Sequence, residues 1–285
     1  MKTAFLISPS GHSSKKELKN SLILLKKLDW KVKYLQSIND KFYYYAGDYK
    51  RRANEINTAY KDKESEIIFC IRGGMGAVHT LDFLDYETIK RSGKILVGMS
   101  DITILLNTIY QKTGQRCLHG PNLKKSLGTF NKKTISCLFD NINKRNFTVK
   151  YKNKDIFKEG YVKGDIIGGN ISLLERSLGT KYEINTDNKI LFLEEYDMRD
   201  RLIYDILWQL KLAGKFNNVK GIILGYFTKC GKDITPYIHD FFKNFNCPII
   251  QNQPIGHEEP NLTIPLGEIC IIDTSKKEWK IIFKK

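Results

Sequence analysis

The chain alternates short runs of β-branched and apolar residues with longer stretches in which apolar side chains recur every three or four positions. The first pattern predicts buried strands and the second amphipathic helices. Residues 2–8 predict a strand, with Ser8-Pro9-Ser10-Gly11 as the turn after it. Leu18, Leu22, Leu25 and Leu28, widened by Ile23 and Leu24, predict a helix over 15–28. A short strand over 30–35 comes next. The aromatic run Phe42-Tyr43-Tyr44-Tyr45 then leads into a charged helix over 49–59; packing on that helix and lining a crevice are both open to it.

Residues 67–121 organise the rest. One apolar run, 67–71, ends at Arg72-Gly73-Gly74-Met75-Gly76, and another, 95–97, ends at Gly98-Met99-Ser100-Asp101. Each small-residue turn is expected to open a helix, the second over 102–110, as in the βα units of a parallel sheet. In open α/β sheets ligands bind in the crevice at the strand ends, so both turns are expected at one site. Cys117 to Pro121 reads as a further strand and turn. Residues 124–158 are polar with weak periodicity, and the domain junction is expected there: an N-terminal domain over 1–135, a linker over 136–160 and a C-terminal domain over 161–285.

The second part predicts a Gly-rich segment at 160–170, a short helix at 171–178, and a strand at 189–193 that ends in Glu194 and Glu195. A long helix closed by Gly214 is expected next, then strands at 219–226, 269–272 and 279–283, with a helix over 233–242. Residues 254–266 form a turn-rich loop around His257.

Composition narrows this without redirecting it. A chain of 285 residues sits where one domain gives way to two, and 41% hydrophobic with 27% charged residues is ordinary for a globular protein. No run approaches the roughly 18 apolar residues of a membrane span. The apolar run 4–7 is too short for a signal-peptide core, so no membrane, no export and a cytoplasmic location are expected. The six cysteines contain no Cys-x-x-Cys pair, which suits a reducing compartment and gives zinc little support. The net charge of +16 is spread through the whole chain as lysine pairs without an Arg-rich recognition helix, so a solvated surface is the expectation and nucleic acid is not an expected partner.

A serine becomes a nucleophile when a base takes its proton and backbone amides hold the oxyanion that forms. Ser100, between strand and helix, meets the second condition, since the first amides of a helix have no carbonyl partner; a plain helix cap is the competing reading. Gly73, Gly74 and Gly76 match neither the dinucleotide fingerprint nor the Walker pattern, and an oxyanion loop beside Ser100 suits them better. The candidate bases are the five histidines, of which His257 lies in a constrained loop able to project one side chain. Glu194 is a candidate to orient such an imidazole.

In number and order the motifs resemble those of the LD-carboxypeptidase family, serine peptidases that include muramoyltetrapeptide carboxypeptidases and microcin C immunity proteins. They are Ser8-Pro9-Ser10, Ala46-Gly47-Asp48 with Arg51-Arg52-Ala53, Arg72-Gly73-Gly74-Met75-Gly76, Gly98-Met99-Ser100-Asp101-Ile102-Thr103, His119-Gly120-Pro121, Gly168-Gly169-Asn170-Ile171-Ser172-Leu173-Leu174, Leu191-Phe192-Leu193-Glu194, and Gly256-His257 with Asn261-Leu262-Thr263-Ile264-Pro265-Leu266-Gly267. The resemblance implies an α/β fold, with a flavodoxin-like parallel-sheet domain followed by a smaller C-terminal mixed domain rich in strands. It implies Ser100 as nucleophile, His257 as general base, Glu194 as its orienting acid, and an oxyanion hole from the N–H groups of Gly74 and Asp101. Substrate contacts are expected from Arg72, Met75 and Asn170. Neither metal nor organic cofactor is implied, and the expected state is a homodimer acting on a small peptide or muropeptide.

The implied reaction is removal of the terminal D-alanine from murein tetrapeptides. Met75 stands where the family's Arg-Gly-Gly-Tyr-Gly stretch has an aromatic, and Asp205-Ile206 where it often has Asp-Arg, so the pocket is expected to differ in shape. Glu195 competes with Glu194 for the imidazole. An immunity-type peptidase acting on peptidyl-nucleotide conjugates, and a silent binder of peptidoglycan fragments, are the alternatives.

Overall fold

The computed structural model describes residues 2–124 and 130–284. The chain divides into two compact units, Met1–Lys132 and Lys133–Lys285.

The first unit carries strands β1 (Lys2–Ile7), β2 (Trp30–Lys33), β3 (Ile67–Cys70), β4 (Ile95–Gly98) and β5 (Cys117–His119), with helices α1 (Lys15–Lys27), α2 (Tyr49–Lys61), α3 (Tyr86–Ser92) and α4 (Ile102–Thr113). Its strands lie side by side in the order β5-β4-β3-β1-β2, every pair parallel. This is the flavodoxin-like arrangement, whose switch point lies between β1 and β3. β3 and β4 are buried along their whole length, which is why they read as unbroken hydrophobic runs.

Local chemistry sets the helix ends. Ser14 and Glu17 form a reciprocal capping box at the start of α1, and the Asp48 carboxylate accepts the Arg51 N–H at 2.7 Å to begin α2. The buried stripe of α1 is Leu18, Ser21, Leu24 and Leu25, with Ile23 at the surface. It is narrower than the leucine spacing predicts, because the Ser21 hydroxyl donates to the Leu123 carbonyl at 3.0 Å and so takes an inward position. The turn after β3 opens a 3₁₀ stretch, Ala77–Phe83, and not the expected α-helix. Gly76 offers no side chain for a cap, and the Ala77 N–H is taken by Asp101.

The second unit is built on an eight-stranded mixed sheet in the order β6-β14-β13-β8-β9-β10-β11-β7. Its strands are β6 (Phe147–Lys150), β7 (Ile156–Lys158), β8 (Tyr161–Asn170), β9 (Lys189–Tyr196), β10 (Gly221–Thr228), β11 (Ile249–Ile250), β13 (Ile269–Asp273) and β14 (Glu278–Ile282); the two-residue strand β12 (Ile264–Pro265) precedes the last two. Strands β8 to β11 are parallel in sequence order, and β13, β14, β6 and β7 run antiparallel to their neighbours. The helices are α5 (Lys132–Ile142), α6 (Ile171–Glu175), α7 (Asp200–Leu212) and α8 (Thr235–Phe242). Residues 136–160, expected as a linker, instead hold most of α5 together with β6 and β7, which pair with β14 and β11 at the two edges of the sheet. Gly168 in β8 has φ +133°, and a Cβ there would stand 2.0 Å from the Phe192 carbonyl oxygen of β9. Glycine is therefore required at this contact between the two strands.

All six cysteines are free thiols. Among the described residues, no helix is long and apolar enough to cross a membrane.

Candidate active site

The turn after β4 holds Ser100 with φ +65°, a left-handed conformation that costs a non-glycine residue on the order of 1–2 kcal/mol. Three sets of contacts fix it there. The Thr103 N–H donates to the Ser100 carbonyl at 2.8 Å, so α4 starts directly from the strained residue. Asn122 brackets the preceding peptide, accepting the Met99 N–H and donating to the Met99 carbonyl, both at 3.3 Å. The β3 turn closes in from the side: a Cβ on Gly73 would lie 2.9 Å from the Ser100 Cβ and 3.1 Å from its Oγ. Ser100 is half-buried, with its neighbours Met99 and Asp101 buried.

Asp101 does not cap α4. Its carboxylate is fully buried and accepts the Ser10 hydroxyl at 2.6 Å and the Ala77 N–H at 2.8 Å, tying the loops after β1 and β3 to the start of α4. Gly74, with φ +126°, lies against Gly11 and the Tyr44 hydroxyl, each 3.1 Å from the place a Cβ would take. The Gly11 N–H donates to the Gly73 carbonyl at 3.3 Å. Arg52, 1% exposed, braces the same turn from behind: it donates to the Gly47 carbonyl at 2.7 Å and to the Gly76 carbonyl at 3.4 Å, and stacks over Tyr45. Burial holds its pKa below the ordinary arginine value, against the pull of Asp101. Beneath the β1 turn, Arg51 and Glu55 form a 2.8 Å ion pair, and Glu55 accepts the Ser8 N–H at 2.7 Å. Burial pushes the Glu55 carboxyl up to about 7 despite Arg51.

Of the expected substrate contacts, Met75 is exposed, at 46%. Arg72 is turned into its own unit, donating to the His12 carbonyl at 3.1 Å and lying 3.6 Å from Glu17. The aromatic run divides. Tyr45 packs on Arg52 and His79, whereas Phe42, Tyr43 and Tyr44 remain exposed.

In the second unit, β9 ends in two adjacent carboxylates with different partners. Glu194, fully buried, has Oε2 2.8 Å from His257 Nδ1. Glu195 takes the other face of the strand: it accepts the Asn170 amide at 2.6 Å, the Ser172 N–H at 3.1 Å, the Ser172 hydroxyl, and the Tyr196 N–H at 2.8 Å. Successive strand residues point to opposite faces, so only one of two neighbouring acids can reach the imidazole. Burial raises the pKa of Glu195, and its hydrogen-bond donors oppose the rise. Asn170, expected at the substrate, is thereby engaged with Glu195 and only 3% exposed.

His257 sits in a loop folded back on β9 and β10. The Ile255 carbonyl accepts the Tyr226 N–H at 2.8 Å, and the Gly256 N–H donates to Asn261 Oδ1 at 3.1 Å. Gly256 has φ +127°, and a Cβ there would approach Glu194 Oε2 to 3.0 Å. The imidazole stacks on Tyr196, with ring centroids 4.5 Å apart and planes 22° apart. Tyr196 and Asn122 are functional neighbours that the sequence analysis does not single out, and Ser172 enters it only as part of the Gly168–Leu174 motif; Tyr196 has a signal as the residue two positions beyond Glu194 on the same strand face.

The structure thus brings Glu194 and His257 together in the second unit, and Ser100, Asp101 and Gly74 into neighbouring turns of the first. A carboxylate on Nδ1 fixes the tautomer that leaves Nε2 able to accept a proton, which is the requirement for a general base. Among the described residues, no group of three or more His, Cys, Asp or Glu side chains is placed to hold a metal ion.

Residues 5–120 match the model of the LD-carboxypeptidase N-terminal domain, and residues 163–272 that of the LD-carboxypeptidase C-terminal domain. A probable murein peptide carboxypeptidase of Bacillus subtilis (strain 168) is 29% identical, over 96% of this chain and 90% of its own. Among solved structures, an MccF-like protein from Bacillus anthracis str. Ames is 27% identical with a TM-score of 0.89, covering 99% of this chain and 97% of that one. The microcin C7 self-immunity protein MccF in complex with aspartyl sulfamoyl adenosine is 25% identical with a TM-score of 0.91, covering 99% and 96%.

Proposed function

This chain belongs to the LD-carboxypeptidase family, and from that premise we propose that it is a serine carboxypeptidase releasing the terminal D-alanine of murein tetrapeptides. The observation that carries the reading is the Glu194–His257 pair at 2.8 Å, in a chain whose other unit strains a serine into a strand-to-helix turn. Ser100 attacks the carbonyl of the bond to the D-residue, and His257 takes its proton. Glu194 stabilises the imidazolium. The N–H groups of Gly74 and Asp101 receive the oxyanion. His257 protonates the leaving amine, and water then releases the acyl group from Ser100 by the same steps in reverse.

The murein substrate follows the Bacillus subtilis relative. The likeness to MccF favours a second reading, an immunity-type peptidase acting on an aminoacyl or peptidyl nucleotide conjugate. Action in the cytoplasm and a homodimeric state belong to the same proposal. Sedimentation gives the state.

The test is mass-resolved cleavage of murein tetrapeptide by the wild type and by Ser100→Ala, with an L-alanine-terminated control and aspartyl sulfamoyl adenosine as a second substrate. Loss of one D-alanine, only with the wild type and only from the D-ended peptide, supports the murein reading. Cleavage of the sulfamoyl conjugate alone favours the immunity reading. Tight binding without cleavage of either by the wild type leaves a binding protein.

A further inference from the structure

Tyr196 presents its ring to His257 at 4.5 Å and 22°, close to parallel stacking. One hydrogen bond at Nδ1 fixes one point of an imidazole and leaves the ring free to swing about the line to the carboxylate. A flat surface against its face removes that freedom and aims Nε2 in one direction. The stack is itself fixed, because the backbone N–H of Tyr196 is held at 2.8 Å by Glu195, whose carboxylate is held in turn by Asn170 and Ser172. The two buried acids therefore act at different points, Glu194 on the imidazole itself and Glu195 on the end of the strand that carries the tyrosine.

We propose that Tyr196 is a positioning residue for His257, holding the imidazole by its face while Glu194 holds it by its edge, with Glu195 as the anchor of the tyrosine. The inference rests on His257 being the general base of the proposed peptidase. Charged and titratable groups near the pair include Glu194 at Nδ1, Glu195 at the Tyr196 backbone, Asp197, whose N–H donates to the Thr228 carbonyl at 2.9 Å, Lys229 with Nζ 5.5 Å from the Tyr196 centroid, and Glu258, which accepts the Thr228 hydroxyl at 3.0 Å. Cys230 is a neutral thiol there, since burial pushes it up to about 11.

The experiment compares the full-length wild type with Tyr196→Phe and Tyr196→Leu, reading kcat and KM on murein tetrapeptide and, by NMR, the position of the His257 Cε1–H resonance, which reports an aromatic ring against the imidazole face. Thermal melting reports whether each variant is folded. With Phe, the resonance stays in place and kcat stays within about twofold of wild type. With Leu, the resonance moves as the aromatic ring is lost, and kcat falls about tenfold with KM nearly unchanged. A folded Leu variant with a wild-type resonance or a wild-type kcat overturns the proposal. So does a Phe variant as impaired as Leu, which would move the role to the hydroxyl. If Leu does not fold, Tyr196→Met, which keeps bulk without an aromatic face, takes its place in the same measurements. A wild type that cleaves no murein tetrapeptide refutes the substrate reading alone, because the resonance tests the stack without turnover.

Discussion

The two units build their candidate catalytic groups from different materials. Around Ser100 the shape is set by the course of the backbone: a serine at φ +65°, a glycine close enough that a Cβ would collide with it, and loops held by main-chain hydrogen bonds and by the side chains of Asn122 and Asp101. Around His257 it is set by side chains: a carboxylate on Nδ1, an aromatic ring on the face, and a second carboxylate engaging four donors. The first unit fixes a shape in which charge can develop. The second fixes the orientation and protonation of one ring. The difference predicts that the two fail differently: the Ser100 turn through steric intrusion with the imidazole left in place, the His257 site through a reoriented ring with little movement of the chain.

The largest effect expected in the second unit is that of Glu194→Gln, which keeps the volume and removes the charge. Activity on the cleaved substrate should fall about 10³–10⁴-fold, with the His257 Cε1–H resonance displaced as the ring loses its carboxylate partner. A resonance left in place would erase the contrast between the two units. Gly73→Ala is the counterpart in the first unit. Its Cβ meets Ser100, so activity should fall about 10²-fold while the His257 resonance stays at the wild-type position. A displaced resonance would mean that the two groups do not fail independently.

Glu195→Gln sharpens the comparison within one strand. The amide turns one acceptor into a donor facing donors, which costs about 1–3 kcal/mol, and the melting temperature should fall while activity drops far less than for Glu194→Gln. Equal losses of activity would remove the distinction between the neighbouring acids.

The smallest effect belongs to Glu55. Its folded-state carboxyl is raised from 4.5 to about 7, so between those values the folded chain binds more protons than the unfolded one. Its contribution to stability is therefore fully present below about 4.5 and is lost as pH rises through about 7. Thermal melts across that window should show Glu55→Gln less sensitive to pH than the wild type; parallel curves would count against the raised carboxyl.

Much of this contrast was legible in the sequence, unevenly. The parallel strands read clearly because both of their faces are buried, so β3 and β4 appear as plain hydrophobic runs ending at the turns that matter. Residues 136–160 did not, for two physical reasons. The buried face of α5 includes Thr134, Cys137 and Asn141 as well as Leu138 and Ile142, which blurs its period. β6 lies at a sheet edge with only Val149 buried. Glu194 is expected by its place in the motif with Glu195 as a competitor, because which of the two faces the histidine depends on a loop more than sixty residues away. Arg72 and Asn170 are expected as substrate contacts, Arg72 because a free carboxylate on the substrate suits a basic crevice, and both are also held by protein partners. Their hydrogen bonds to His12, Glu195 and the surrounding loops are long-range facts that spacing does not carry.

Gly73 also has a hereditary consequence. Every missense change of one base in a glycine codon yields an amino acid with a Cβ, and at this position that atom arrives 2.9 Å from the Ser100 Cβ. The gene therefore has no mild first step away from this residue. Drift can adjust the ring against His257 by degrees, through Phe for Tyr, whereas at this turn each lineage keeps the glycine or disturbs the serine at once.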